Sequence, residues 1–296
     1  MSKRAWALIA AMMVSIIYGV SFTIAKDVMP LYIKPFGFIL LRVIGATILF
    51  WAVSFLAPKE KILLNDFPRI IAAAFFGVAL NMLTFFKGLS YTSPISAAVI
   101  MVTTPIIVMI LSAVLIREKI KIRKVFGILL GLLGTGFLIL YGKSIANATN
   151  ASWGNLLVFI NAVSYALYLI VVKKLMDKYN AFTFVKWIYT FGLLMVLPFG
   201  WNEYQEIIWH GIPVPILWEI AFVVVFTTFL TYLFNLVSMR ELKPTTVAVF
   251  IYLQPLFATI FAISLGKDEL TMVKIISAVL IFNGVYLVTQ KVKTKP

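Results

Sequence analysis

Apolar stretches long enough to cross a bilayer, about 20 residues each, recur from one end of this 296-residue chain to the other with only short polar breaks between them. Hydrophobic residues make up 62% of the chain and charged residues 12%, a balance that a water-facing surface does not carry, so the solvent around most of it is lipid. Backbone groups in lipid must bond within their own segment, and runs this long therefore read as helices. Membrane strands would instead alternate in polarity over about ten residues. Charge and Pro/Asn punctuation bound ten of them: Trp6–Ala25, Ile33–Leu56, Phe67–Leu89, Pro94–Ile116, Val125–Tyr141, Trp153–Leu175, Phe182–Phe199, Ile216–Val237, Thr245–Leu265 and Met272–Thr289. The opening run behind Ser2-Lys3-Arg4 looks like a signal peptide, but it continues to Ala25 without a small-x-small cleavage site and is expected to stay as the first helix.

The net charge of +15 is scattered through short loops with no aromatic-studded basic face, so lipid rather than nucleic acid is the expected partner. One set of alternate loops holds Lys3 and Arg4, Lys59, Lys61 and Arg69, the cluster Arg117, Lys119, Lys121, Arg123 and Lys124, then Lys173, Lys174 and Lys178, Arg240 and Lys243, and Lys291, Lys293 and Lys295. The other set holds Lys26, Lys34, Lys87, Lys143, Lys267 and Lys274, and its long loop from Asn202 to Gly211 carries Glu203 and Glu206. The richer set is expected to face the cytoplasm, which puts both termini inside, as an even number of spans requires. Cysteine is absent, His210 stands alone in a loop, and no zinc motif or phosphate loop occurs. An enzyme, a metal and a cofactor are therefore not expected.

The chain resembles itself. At a spacing of 150 residues Pro94 meets Pro244, Ala98 and Val99 meet Ala248 and Val249, Pro105 meets Pro255, Lys124 meets Lys274, Gly134 meets Gly284, and Glu118 meets Asp268. At a spacing of 147, Trp6 meets Trp153, Tyr18 meets Tyr165, Lys26 meets Lys173 and Met29 meets Met176. These identities fall at corresponding places in corresponding helices and mark a duplication, with units over residues 5–142 and 153–290. Five spans per unit force the second to enter the membrane from the opposite side. The expected fold is an all-α membrane protein of ten transmembrane helices, two inverted five-helix repeats around a central cavity, a construction suited to opening one site to either side in turn.

Tyr18-Gly-Val-Ser-Phe-Thr-Ile-Ala-Lys26, Leu41-Arg42, Pro94-x-x-Ala-Ala-Val99 running to Thr104-Pro105, Arg117-Glu118-Lys119, and Gly127 with Gly134 together resemble the EamA-type branch of the drug/metabolite transporter superfamily, over nearly the whole chain. The resemblance implies a multi-pass carrier of the bacterial inner membrane, often an exporter of amino acids or related metabolites, with a cavity lined by helices one, three, four, six, eight and nine. Lys267-Asp268-Glu269 and Ser277 depart from the family pattern, where Gly-Glu and a glycine are commoner.

Polar residues inside spans usually face the bundle interior. Helix one carries Ser15, Tyr18 and Phe22; helix three Asn81, Thr84 and Gly88; helix six Asn161, Tyr165 and Tyr168; helix eight Thr228, Thr231, Tyr232 and Asn235, each set on one stripe. With Thr104 and Gln254 these are the candidates for lining a substrate cavity, although hydrogen bonding between helices would give the same stripes. Pro105 and Pro255 leave the carbonyls of Met101 and Ile251 without their usual donors, and read either as hinges that open carbonyls to substrate or as static kinks. Arg42, about 10 Å inside helix two, suits an anionic substrate group, or exposed carbonyls, or an outward reach to the interface. The acidic residues fall in loops, with Glu219 near a helix start, so facilitated diffusion or exchange is expected in place of carboxylate-based proton coupling. Gly127-x-x-x-Gly131-x-x-Gly134-x-Gly136 reads as scaffold or as a homodimer contact. The function these features suggest is secondary transport of a small metabolite by alternating access, with a channel-like or structural membrane protein as the alternative.

Overall fold

The computed structural model of the protein describes residues 2–55, 58, 60–92, 94–140, 151–264, 266 and 269–290, apart from the side chains of Phe22, Thr23, Ala25, Lys26, Pro94, Ile95 and Ala151. Among the described residues there is no strand, and ten helices are long and apolar enough to cross a membrane. They are α1 (Lys3–Ser21, in a helix that runs on to Val28), α2 (Pro35–Ser54), α3 (Leu64–Tyr91), α4 (Ser96–Leu115), α5 (Ile122–Leu140), α6 (Ser152–Met176), α7 (Ala181–Gln205), α8 (Val214–Glu241), α9 (Pro244–Ser264) and α10 (Met272–Thr289). Side chains such as Ile110, Val114, Phe126, Leu133, Val279 and Phe282 leave α4, α5 and α10 outward, as lipid-facing positions do.

Helix contacts come in exchangeable pairs. Helix α3 packs on α6 and α8 packs on α1; α4 packs on α6 and α9 on α1; α2 packs on α8 and α7 on α3. Replacing each helix by the one five places along turns the first member of every pair into the second. The remaining large contacts, α5 with α10 and α2 with α7, join a helix to its own counterpart. Both of these run antiparallel. A Cβ on Gly127 would meet the Gly284 carbonyl oxygen at 2.7 Å, and one on Gly134 would meet the Ser277 carbonyl oxygen at 2.9 Å. Gly127 and Gly134 of α5 are thus used against α10 of the same chain, Gly131 lies under the Tyr252 ring of α9, and of this run only Gly136 faces open space. On α2 and α7, Gly45 and Gly192 stand 147 residues apart in sequence; a Cβ on Gly45 would meet Val224 of α8 at 2.5 Å, and one on Gly192 would meet Val78 of α3 at 2.7 Å.

Departures from α-helix recur in the same paired fashion. Helix α3 has a π segment at Phe75–Ala79 and α8 has one at Val223–Leu230. Helix α4 is interrupted at Thr103, just before Pro105, and α9 tightens into a 3₁₀ turn at Val249–Tyr252, just before Pro255. Beyond the ends of α4 and α9, Arg117 (φ 52°) and Gly266 (φ 66°) each take the left-handed conformation that stops a helix.

Both ends of the described chain lie on one face: Arg4 donates to the Thr289 carbonyl at 2.6 Å, and Arg123 donates to the Gln290 side chain at 2.6 Å. Two carboxylates on this side are buried rather than solvated in loops. Glu118 accepts from Lys124 at 2.7 Å and from Thr245 at 2.9 Å, tying the turn after α4 to the first turn of α9. Asp66 accepts from Lys178 at 3.0 Å and from the Tyr179 hydroxyl at 2.8 Å. Their place in loops suggested no buried carboxylate, and that is corrected for these two, each of which is buried with a cation and a hydroxyl to compensate it. Asp268, the sequence counterpart of Glu118, lies outside the described residues. On the opposite face the long loop is shorter than expected: α7 continues to Gln205, and Glu203 accepts from the Phe36 and Gly37 amides at 2.6 and 3.0 Å, capping α2. Glu206 binds Lys34 at 2.6 Å, and that bond raises the Lys34 ammonium above the usual lysine range.

Candidate functional site

The π segments shape the middle of the bundle. A π turn widens the helix by one residue and leaves carbonyls free of their usual i→i+4 partners. In α3 those carbonyls are taken from other helices: Phe76 O accepts from Ser164 Oγ of α6 at 2.7 Å, and Gly77 O accepts from the Tyr232 hydroxyl of α8. One turn on, Asn81 O accepts from Asn161 Nδ2 at 2.7 Å. In α8 the hydroxyl of Thr228 donates five residues back to Val223 O at 2.8 Å, and Thr227 hydrogen-bonds Ser21 of α1 at 2.6 Å.

Tyrosines fill the space these turns create. The rings of Tyr165 and Tyr168 lie 6.2 Å apart, Tyr168 lies 5.9 Å from Tyr232, and Tyr232 lies 5.1 Å from Tyr189, edge to face. The Tyr168 ring rests directly on Gly77, where any side chain would collide with it. The Thr231 hydroxyl stands 3.4 Å from that of Tyr18, and Tyr165 faces Asn235. Buried polar atoms normally have partners. Here Asn161 Oδ1, Tyr168 Oη and Tyr189 Oη are buried without one among the described residues.

Of the candidates read from sequence, Tyr18, Asn81, Asn161, Tyr165, Tyr168, Thr231, Tyr232 and Asn235 meet around the contacts of α1, α3, α6 and α8. Others are spent on packing. Ser15 donates to Phe250 O at 2.8 Å and ties α1 to the 3₁₀ turn of α9. Thr84 donates to Leu80 O at 2.6 Å within its own helix. Thr104 donates to Met101 O at 2.6 Å, so the carbonyl that Pro105 leaves without a donor is satisfied locally instead of standing open. Gln254 is half-buried, with its carbonyl against Gly19. The side chain of Phe22 lies outside those described. Arg42 is 7% exposed and joins the group through Thr228 of α8 at 3.0 Å, which sets aside the outward-reaching position. Tyr189 on α7 was not anticipated, although the 147-residue spacing pairs it with Arg42 and so points to it.

Ten apolar helices closed around a polar midplane define a multi-pass membrane protein built in the manner of solute transporters. The model of the EamA-like transporter family matches the chain twice, over residues 5–140 and 152–290, and the chain belongs to that family. It is 28% identical over 274 residues to an uncharacterized transporter of Archaeoglobus fulgidus, covering 93% of this chain and 95% of that one. It is 25% identical over 226 residues to the uncharacterized transporter YetK of Bacillus subtilis, covering 76% and 68%. A solved crystal structure superposes with a TM-score of 0.78 at 16% identity over 95% of both chains, a likeness of fold. The protein is a membrane transporter.

Proposed function

We propose that this transporter is an alternating-access carrier of amino acids or related small metabolites, acting as an exporter in the bacterial inner membrane with both termini in the cytoplasm. The observation that carries the reading is the exchangeable packing. Gly127 lies against Gly284 and Gly134 against Ser277, while Gly45 of α2 lies against Val224 of α8 and Gly192 of α7 against Val78 of α3. Two halves related in this way can trade conformations, which moves access to a site between them from one side to the other. The double match to one family model supports the duplication, and the Lys/Arg bias of the loops supports the orientation.

In this reading substrate sits among Tyr18, Asn81, Tyr165, Tyr168, Thr231 and Asn235, between the π turns of α3 and α8. The interruptions before Pro105 and Pro255 are the hinges. Glu118 and Asp66 are committed to ties at the helix ends, which favours exchange or facilitated diffusion over a carboxylate proton relay. Counterflow in proteoliposomes is the test. Labelled substrate uptake accelerated by unlabelled substrate inside the vesicle is expected; uptake indifferent to internal substrate would indicate a channel and refute the carrier.

A further inference from the structure

The proposed site contains a charge that no acidic side chain among the described residues balances. Arg42 is buried, and its Nε donates to Thr228 Oγ1 at 3.0 Å. The Thr228 hydrogen is already committed to Val223 O in the π turn, so this hydroxyl is oriented to accept from the guanidinium. The rings of Phe38 and Phe86 flank the group at 5.9 and 5.8 Å. A guanidinium has five N–H donors, and beyond Nε none has a hydrogen-bond partner among the described residues. Among the described residues no carboxylate stands within ion-pair distance of it. The titratable groups that its charge faces are the hydroxyls of Tyr18, Tyr189 and Tyr232, from three other helices.

Charged side chains within membrane spans are ordinarily paired, because an unpaired one in hydrocarbon is expensive. Here the surroundings add tyrosine hydroxyls, neutral groups that can donate to a bound anion. Of the three, Tyr189 presents a buried hydroxyl with no hydrogen-bond partner among the described residues. The sequence spacing of 147 also makes Arg42 and Tyr189 counterparts, one from each half, carried on the antiparallel pair α2 and α7. A set of unused donors around a fixed cation calls for an oxyanion.

We infer that Arg42 and the Tyr189 hydroxyl form an anion subsite of the transport pathway, and that the transported compound carries a carboxylate or phosphate group seated between them. The inference rests on the carrier reading and narrows it: amino acids and other organic acids fit, whereas amines without an acidic group do not. The guanidinium supplies parallel donors to two oxygens of the anion, and Tyr189 supplies a third from the opposite half.

A thermal-shift screen of the purified protein tests this, using amino acids, carboxylic acids and phosphorylated sugars, each beside its uncharged amide, methyl ester or dephosphorylated form, together with simple amines. At least one anion is expected to raise the melting temperature saturably while its uncharged form does not, and whether carboxylates or phosphates do so distinguishes the two chemistries. Arg42→Gln should weaken that anion's apparent affinity at least tenfold, Arg42→Lys should retain part of it, and Tyr189→Phe should weaken it several-fold. If Arg42→Gln does not fold, the Arg42→Lys and Tyr189→Phe affinities decide in its place. Shifts by neutral or cationic compounds only, lost in Tyr165→Phe, would overturn the anion subsite and leave the carrier standing. Unchanged anion affinity in folded Arg42 variants would overturn it as well. A screen in which nothing shifts the wild-type protein would count against both.

Discussion

The hydroxyl of Tyr232 in α8 donates its hydrogen to the carbonyl oxygen of Gly77 inside the π turn of α3, joining the two distorted helices at the centre of the bundle. Tyr232→Phe keeps the ring and deletes that donor, leaving a buried carbonyl unpaired. The expected cost is about 1–3 kcal/mol, read as a lower melting temperature of the detergent-solubilised protein. An unchanged melting temperature would mean that the bond contributes nothing to holding α3 on α8.

Gly77 also supports the Tyr168 ring. Gly77→Ala puts a methyl group into that ring, which is held in turn by Tyr165 and Tyr232. Overpacking of this kind costs roughly 1–3 kcal/mol, and substrate uptake is expected to fall with it. Gly136→Ala serves as the control, since a Cβ there meets nothing within 4 Å. Equal losses from the two substitutions would remove the steric argument.

Helices α5 and α10 touch backbone to backbone at Gly127 and Gly284. Neither side can yield by turning a side chain. Gly127→Val is therefore expected to push the helices apart and lower stability by about 2 kcal/mol, whereas Leu133→Val on the lipid-facing side should be nearly neutral. Thermal denaturation followed by aggregation or size-exclusion chromatography makes the comparison.

Glu118 ties the turn after α4 to the start of α9 through Lys124 and Thr245. Its side chain is 1% exposed and that of Lys124 15%. Glu118→Ala strands a largely buried ammonium and should cost roughly 2–3 kcal/mol; Glu118→Gln, which can still accept from Thr245, should cost less. If glutamine and alanine were equally harmful, the hydroxyl contact would have no part in the tie.

The sequence showed the architecture because lipid imposes strict length and polarity rules: runs such as Pro35–Ser54 and Ile122–Leu140 announce themselves by composition alone. The polar stripes of α1, α3, α6 and α8 were equally readable from helical spacing. The π turns were not, since an i→i+5 bond leaves no mark in composition, and Gly77 gave no hint that it receives both Tyr232 and Tyr168. Nor did spacing show that Thr104 would satisfy the Met101 carbonyl or that Glu118 and Asp66 would be buried, because each depends on a rotamer or on a partner far along the chain. Tyr189 was missed for a simpler reason. The polar residues of its helix, Thr183, Lys186 and Thr190, did not single it out, and its place was visible through its counterpart Arg42.

The head-to-tail relation of the two halves is tested most directly by single cysteines in a chain that has none of its own, at Lys121 after α4 and at Leu270 after α9, both exposed. Intact cells are treated with a membrane-impermeant maleimide before and after permeabilisation. Leu270→Cys should label at once and Lys121→Cys only after the membrane is opened. Labelling of both positions from the same side would contradict the opposed orientation, and with it the exchange of access on which the proposed transport depends.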